Sequence, residues 1–173
     1  MSKAHTPALP GFEGLVKPFK FPAHPYQYKV SLLRECPTPD ELYCCDTPEK
    51  AAQYWRLNIT ADPYFNPEVE CFVVLMLDIK LRLKGHYLVS VGTQESTLVH
   101  PREVFRVAVV ASAHSIILAH NHPSGNPTPS PEDIKSTRRL IRAGEILDIP
   151  VVEHVVIGNP DFASLYKLGH ISK

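Results

Sequence analysis

Two histidines, His120 and His122, open the stretch His120-Asn121-His122-Pro123-Ser124-Gly125-Asn126-Pro127-Thr128-Pro129-Ser130-Pro131-Glu132-Asp133. In extended backbone, residues i and i+2 point to the same side, so both imidazoles can converge on one point. Asp133 follows His120 by thirteen residues and falls in the first turn of a helix that Ser130-Pro131 would open. The Gly/Pro-rich loop between them lets that helix fold back against the strand end. Two neutral imidazoles and a carboxylate form an N/O set suited to Zn²⁺. Three protein ligands leave a fourth tetrahedral position open, as in catalytic rather than structural sites. Each part has a plainer reading by itself: Ser130 with Asp133 is a capping-box pattern, and an H-x-H pair suits the solvated end of a hairpin. The combination H-x-H-x7-S-x-x-D is much harder to obtain by accident.

The elements that must position these residues are legible upstream and downstream. Eight of the 17 prolines fall in residues 1–48, where each fixes φ and removes a donor, so long helices and central strands are excluded there. Phe12, Phe19, Phe21, Tyr26 and Tyr28 still give this stretch apolar surface, and Tyr26 to Leu33 fits one short edge strand. Residues 1–47 are therefore expected to form an extended arm that wraps the core or a neighbouring subunit. Thr47-Pro48-Glu49 reads as a helix start, with Ala51, Ala52, Trp55 and Ile59 at helical spacing. Val69 to Ile79 is a nearly continuous apolar run, the pattern of a strand buried on both faces. A polar turn over Lys80 to Lys84 leads to a returning strand, Gly85 to Gly92. Pro101 opens a second helix, Arg102 to about Ala113, and Ser115 to Ala119 is a buried strand running into His120. A third helix spans Ser130 to about Leu147, and Val151 to Ile157 is a further strand. This order predicts an α/β domain over 48–173 with a mixed sheet flanked by helices.

Composition narrows the class of function. The chain has 173 residues, 44% apolar and 21% charged, which suits one globular domain. Its 18 basic and 18 acidic side chains cancel, which removes the usual electrostatic case for nucleic acid as main partner. No apolar run approaches the ~18 residues that cross a bilayer, and Met1 to Pro10 lacks an apolar signal core. A cytoplasmic protein with no membrane partner is expected. Cys36, Cys44, Cys45 and Cys71 form no C-x-x-C pair and read as reduced, partly buried side chains, although the adjacent Cys44 and Cys45 leave a metal or strained disulfide open.

Together with its flanks, the motif resembles the signature of the JAMM (MPN+) metalloprotease superfamily. Leu98-Val99-His100-Pro101-Arg102-Glu103-Val104-Phe105-Arg106, Ile117-Leu118-Ala119-His120-Asn121-His122-Pro123-Ser124-Gly125 and Glu132-Asp133-Ile134 closely resemble the RadC family within it, over about residues 48–168. The resemblance implies a JAB/MPN fold, a cytidine-deaminase-like three-layer α/β arrangement, with Zn²⁺ held by His120, His122 and Asp133. It implies that Ser130 donates a hydrogen bond to the oxyanion of a tetrahedral intermediate. It also implies a glutamate acting as general base toward the lytic water, at the start of the strand after the first helix. Glu70 best matches that position, and Glu68 and Glu95 compete with it. The implied activity is hydrolysis of an amide, peptide or isopeptide bond in a peptide or protein substrate.

Other residues carry weaker signals. His100 reads as a cap of the second helix or as a residue facing the cleft, and His154 as a satisfied core histidine. Lys135, Arg138, Arg139 and Arg142 give the third helix a basic face, which Arg102 and Arg106 would extend. That face is the one feature favouring nucleic acid. RadC relatives usually place a helix-hairpin-helix module before the metal domain, whereas residues 1–47 form a proline-rich stretch without a glycine-centred helical hairpin. That departure weakens the DNA reading; the resemblance to RadC, with its repair association, still leaves as rival a non-catalytic, metal-containing DNA-repair accessory or interaction module. A consecutive H-N-H is not an HNH nuclease hairpin, and a zinc deaminase would need H-x-E with a later P-C-x-x-C, absent here. The aromatic arm makes an oligomer through subunit exchange an expectation as well.

Overall fold

A computed structural model describes residues 32–92 and 99–172. Most of the N-terminal arm, the expected edge strand except Leu32 and Leu33, and Glu95 lie outside the described residues. Leu32 and Leu33 are exposed and belong to no strand.

The first described element is one helical turn, α1 (Asp40–Tyr43), which buries Leu42. Cys45, also buried, donates its backbone N–H to Leu81 O at 2.8 Å. Residues 42–45 therefore already pack on the sheet domain, ahead of the expected boundary at 48. Helix α2 (Pro48–Tyr54) starts as the sequence dictates: the Thr47 hydroxyl accepts the Lys50 N–H at 3.3 Å, and Pro48 takes the first turn. It runs on as a π-helical turn over Trp55–Ile59, in which Thr60 N bonds to Trp55 O at 3.2 Å.

Strand β1 (Cys71–Leu77) is buried along its whole length. It turns back into β2 (Leu83–Val91) around Asp78, whose Oδ1 accepts the Lys80 and Arg82 N–H groups at 2.8 and 3.0 Å. Then follow α3 (Pro101–Val110), β3 (Ser115–Asn121), α4 (Pro131–Leu147), β4 (Val151–Ile157) and β5 (Phe162–Ser164). The sheet order is β2-β1-β3-β4-β5, antiparallel throughout except for the β3–β4 pair, which α4 connects.

The apolar run of β1 is explained by layering. Cys71, Val73, Leu75 and Leu77 pack with Ala51, Ala52, Trp55 and Ile59 on one face. Phe72, Val74 and Met76 pack with Val104, Phe105, Ala108 and Leu140 on the other. Helices cover both faces, so both side-chain sets of the strand are apolar. The expected α/β architecture, a mixed sheet between helices, is the observed one. Strand β3 extends two residues past the expected end, because His120 still pairs with Phe72 on one side and Val156 on the other. His120 and Asn121 are thus strand residues. Among the described residues, no helix is long and apolar enough to cross a membrane.

Candidate metal centre

The site forms where β3 ends and α4 begins, at the carboxyl end of the sheet's one parallel pair. Ligand sites in α/β sheets favour such places. His120 points toward α4 and is nearly inaccessible, at 1% side-chain exposure, whereas His122 and Asp133 are 12% and 18% exposed. The cluster is therefore anchored inside and open on one side. Phe72 stacks parallel to the His120 ring, with centroids 5.9 Å apart and planes 9° apart, and fixes its plane.

The ligand atoms converge. His120 Nε2 lies 3.1 Å from His122 Nε2 and 3.3 Å from Asp133 Oδ1, and His122 Nε2 is 3.5 Å from Asp133 Oδ2. One donor atom from each residue falls within 4.8 Å of the others, a group that could hold a metal ion. The chemistry of the donor set fits a divalent cation. His122 Nδ1 lies 2.8 Å from Asn126 O. A carbonyl only accepts, so Nδ1 carries the proton and a neutral ring presents a bare Nε2 to the cluster. Two imidazole nitrogens directed at each other beside a carboxylate are an arrangement that a shared cation resolves.

Local sequence explains the placement. Gly125, at φ +79, suits the left-handed backbone of the loop. Asn159 N donates to Gly125 O at 3.0 Å, and His122 N donates to Ile157 O at 2.9 Å, tying the loop to the end of β4. Gly158 permits this approach, since an added Cβ would sit 2.4 Å from Gly125 O. Asp133 is held at the third position of α4 by a complete capping box with Ser130. Ser130 N and Oγ each donate to Asp133 Oδ2 at 2.7 Å, and Asp133 N donates to Ser130 Oγ at 3.1 Å. The capping role of Ser130 is therefore real, and its hydroxyl proton points at Asp133. Burial would raise the Asp133 carboxyl, but the adjoining His120 and His122 rings and the Ser130 hydroxyl together hold it well below the usual carboxylate range. The bond to Asp133 raises the His122 imidazole, against the opposing effect of burial.

Glu70, immediately before β1, is half-buried. Burial raises its carboxyl above the ordinary glutamate value, the His120 and His122 rings pull it down, and Asp133 pushes it up. Glu70 is thus within electrostatic reach of the His120, His122 and Asp133 group. Glu68 is exposed.

Asn121 has a place that its position between the histidines did not reveal. Its Oδ1 accepts the Cys71 N–H at 2.9 Å and its Nδ2 donates to Val69 O at 3.0 Å. The amide grips the backbone on both sides of Glu70 and extends the β1–β3 ladder beyond its last backbone pair. A polar residue at the end of an otherwise apolar strand was the available signal. His154 is fully buried, as a core histidine would be, and its Nε2 meets His120 Nδ1 at 2.8 Å. Burial pushes its imidazole well below the ordinary histidine value, and the His120 ring adds to this. His100 occupies the cap position of α3, as the capping reading has it, but through its backbone alone, since its side chain makes no capping bond. Arg102 and Arg106 both pair with the single carboxylate of Glu103, which offsets part of their charge. All four cysteines are free thiols.

Comparison with known proteins agrees with this architecture. The family model described as RadC-like JAB domain matches residues 45–170. The UPF0758 protein of Thermosynechococcus vestitus is 42% identical over 130 residues, 75% of this chain and 50% of its own. That of Trichodesmium erythraeum is 41% identical over 133 residues, 77% of this chain and 53% of its own. That of Desulforamulus reducens is 52% identical over 102 residues, 59% of this chain and 45% of its own. The chain spans about half the length of these curated relatives. With the match running from just before α2 to beyond β5, the chain belongs to the RadC-like JAB domain family.

Proposed function

We propose that this domain is a zinc-dependent hydrolase of amide, peptide or isopeptide bonds, acting on a peptide or protein substrate. The observation that carries the reading is the convergence of His120 Nε2, His122 Nε2 and an Asp133 oxygen on one partly open point. His120, His122 and Asp133 would hold the ion. When bound, Zn²⁺ supplies Lewis acidity, lowering the pKa of water from ~15.7 toward ~7 and polarising the scissile carbonyl.

The protein's own groups divide the remaining work. Glu70 takes the proton from the attacking water and delivers it to the leaving nitrogen as the C–N bond breaks and the new C–O bond forms. Its burial suits this two-way transfer, because a raised carboxyl pKa lies closer to neutrality. Ser130 turns its hydroxyl proton from Asp133 Oδ2 toward the developing oxyanion, a rotation about one bond. Phe72 and the apolar face around it keep His120 dry and fixed.

Zinc content of the purified protein tests the metal reading first: near one ion per chain is expected, lost in His122→Ala. Cleavage of a panel of peptide-bonded and isopeptide-bonded substrates, abolished by Glu70→Gln with zinc retained, tests the chemistry. A zinc-free native protein would end the proposal. The accessory reading rests on Arg138, Arg139 and Arg142, which are exposed on α4 and form no ion pair among the described residues. A shift of labelled duplex or branched DNA at physiological salt, without any cleavage activity, would favour it.

A further inference from the structure

Behind the proposed ligands runs a chain of hydrogen bonds with one self-consistent direction. The Thr137 hydroxyl lies 2.6 Å from Asp133 O, a carbonyl that can only accept. Its single proton therefore goes there, and Oγ1 is left as an acceptor. Oγ1 also lies 2.6 Å from His154 Nδ1, so that nitrogen carries a proton. His154 is fully buried and in a neutral ring has only that one, which leaves Nε2 as an acceptor. The 2.8 Å contact between His154 Nε2 and His120 Nδ1 must then be donated by His120. A neutral His120 ring accordingly has its lone pair on Nε2, the atom aimed at His122 and Asp133.

We infer that Thr137 and His154 are positioning residues that fix the tautomer of His120 and lock α4 to β3, so that its Nε2 is presented to a cation. The chain begins at the backbone carbonyl of Asp133 and ends at the site that holds the Asp133 carboxylate. One residue of α4 thus sets both the acidic ligand and, through two side chains, the orientation of the buried imidazole. Groups that orient metal-bound histidines in this way typically change affinity by about 10–100-fold when removed. The link to metal rests on the proposed zinc site, whereas the proton positions do not.

The test is a long-range ¹H–¹⁵N spectrum of the metal-free protein. Protons on His154 Nδ1 and His120 Nδ1, with His154 Nε2 bare, are expected. A proton on His154 Nε2 would overturn the relay. Thr137→Val keeps the shape but removes the acceptor, so the His154 ring should change or mix tautomers and the zinc dissociation constant should rise about 10–100-fold. Thr137→Ser should restore both. Unchanged His154 signals and unchanged affinity in Thr137→Val would also overturn the inference. Expected tautomers in a protein that takes up no zinc would uphold the relay and sink the metal reading instead.

Discussion

Replacing Asn121 with alanine should expose how this domain holds its proposed base. The change removes two hydrogen bonds, to the Cys71 N–H and to Val69 O. Cys71 is fully buried, so its orphaned N–H costs about 1–3 kcal/mol. Val69 is only partly buried, and losing the bond to its carbonyl, which can reach water, costs about 0.5–1.5 kcal/mol. The sum is about 1.5–4.5 kcal/mol, and at roughly 2–4 °C per kcal/mol for a chain of this size the middle of that range lowers Tm by about 9 °C. Thermal unfolding followed by circular dichroism, with and without chelator, reads this directly. Zinc content should stay near stoichiometric, because none of the three ligand side chains is changed, while cleavage should fall within the roughly 10²–10⁴-fold range set by general-base catalysis. A wild-type Tm would refute the claim that Asn121 clamps the start of β1. Zinc lost in step with activity would show that the clamp acts through the ligands rather than through Glu70.

Other perturbations separate the remaining parts of the argument. Removing zinc should lower stability by about 2.7 kcal/mol relative to protein at a free zinc concentration of 100 Kd, read as a drop in Tm on chelation. Ser130→Ala should cost about 1 kcal/mol through loss of the α4 cap and about 10²–10³ in rate through loss of the oxyanion donor, with metal still bound; undiminished kcat would leave Ser130 with the cap alone. Gly158→Ala would place a Cβ 2.8 Å from Pro127 Cδ as well as against Gly125 O, so both stability and zinc affinity should fall as the ligand loop is pushed from β4. Asp78 is lowered from 3.8 to about 2, chiefly by its hydrogen bond with Arg82. A depressed carboxylate stabilises the fold above the unfolded value and loses that stabilisation as pH falls through about 2. The stability gap between wild type and Asp78→Asn should therefore narrow from pH 5 to pH 2, and a constant gap would contradict the assignment.

The local sequence was enough to specify much of this domain. Thr47-Pro48 and Ser130-Pro131 start helices through short-range capping, and both caps form in the structure. The burial of β1 on both faces follows from an apolar run with no polar face. The spacing of His120, His122 and Asp133 named the group whose donor atoms converge, because strand periodicity and a helix start are local properties of the chain. Elements with little local signal were not legible: β5 is three residues long and exists through its pairing with β4, and α1 is a single turn.

What only the folded structure decided are relations between residues far apart in the chain. No periodicity ties Asn121 to the backbone around Glu70, or places His154 and Thr137 behind His120. Those contacts depend on strand register and on how closely α4 packs against β3 and β4. A motif fixes which atoms are available for chemistry, whereas long-range packing fixes which protons they carry and how deeply they are buried.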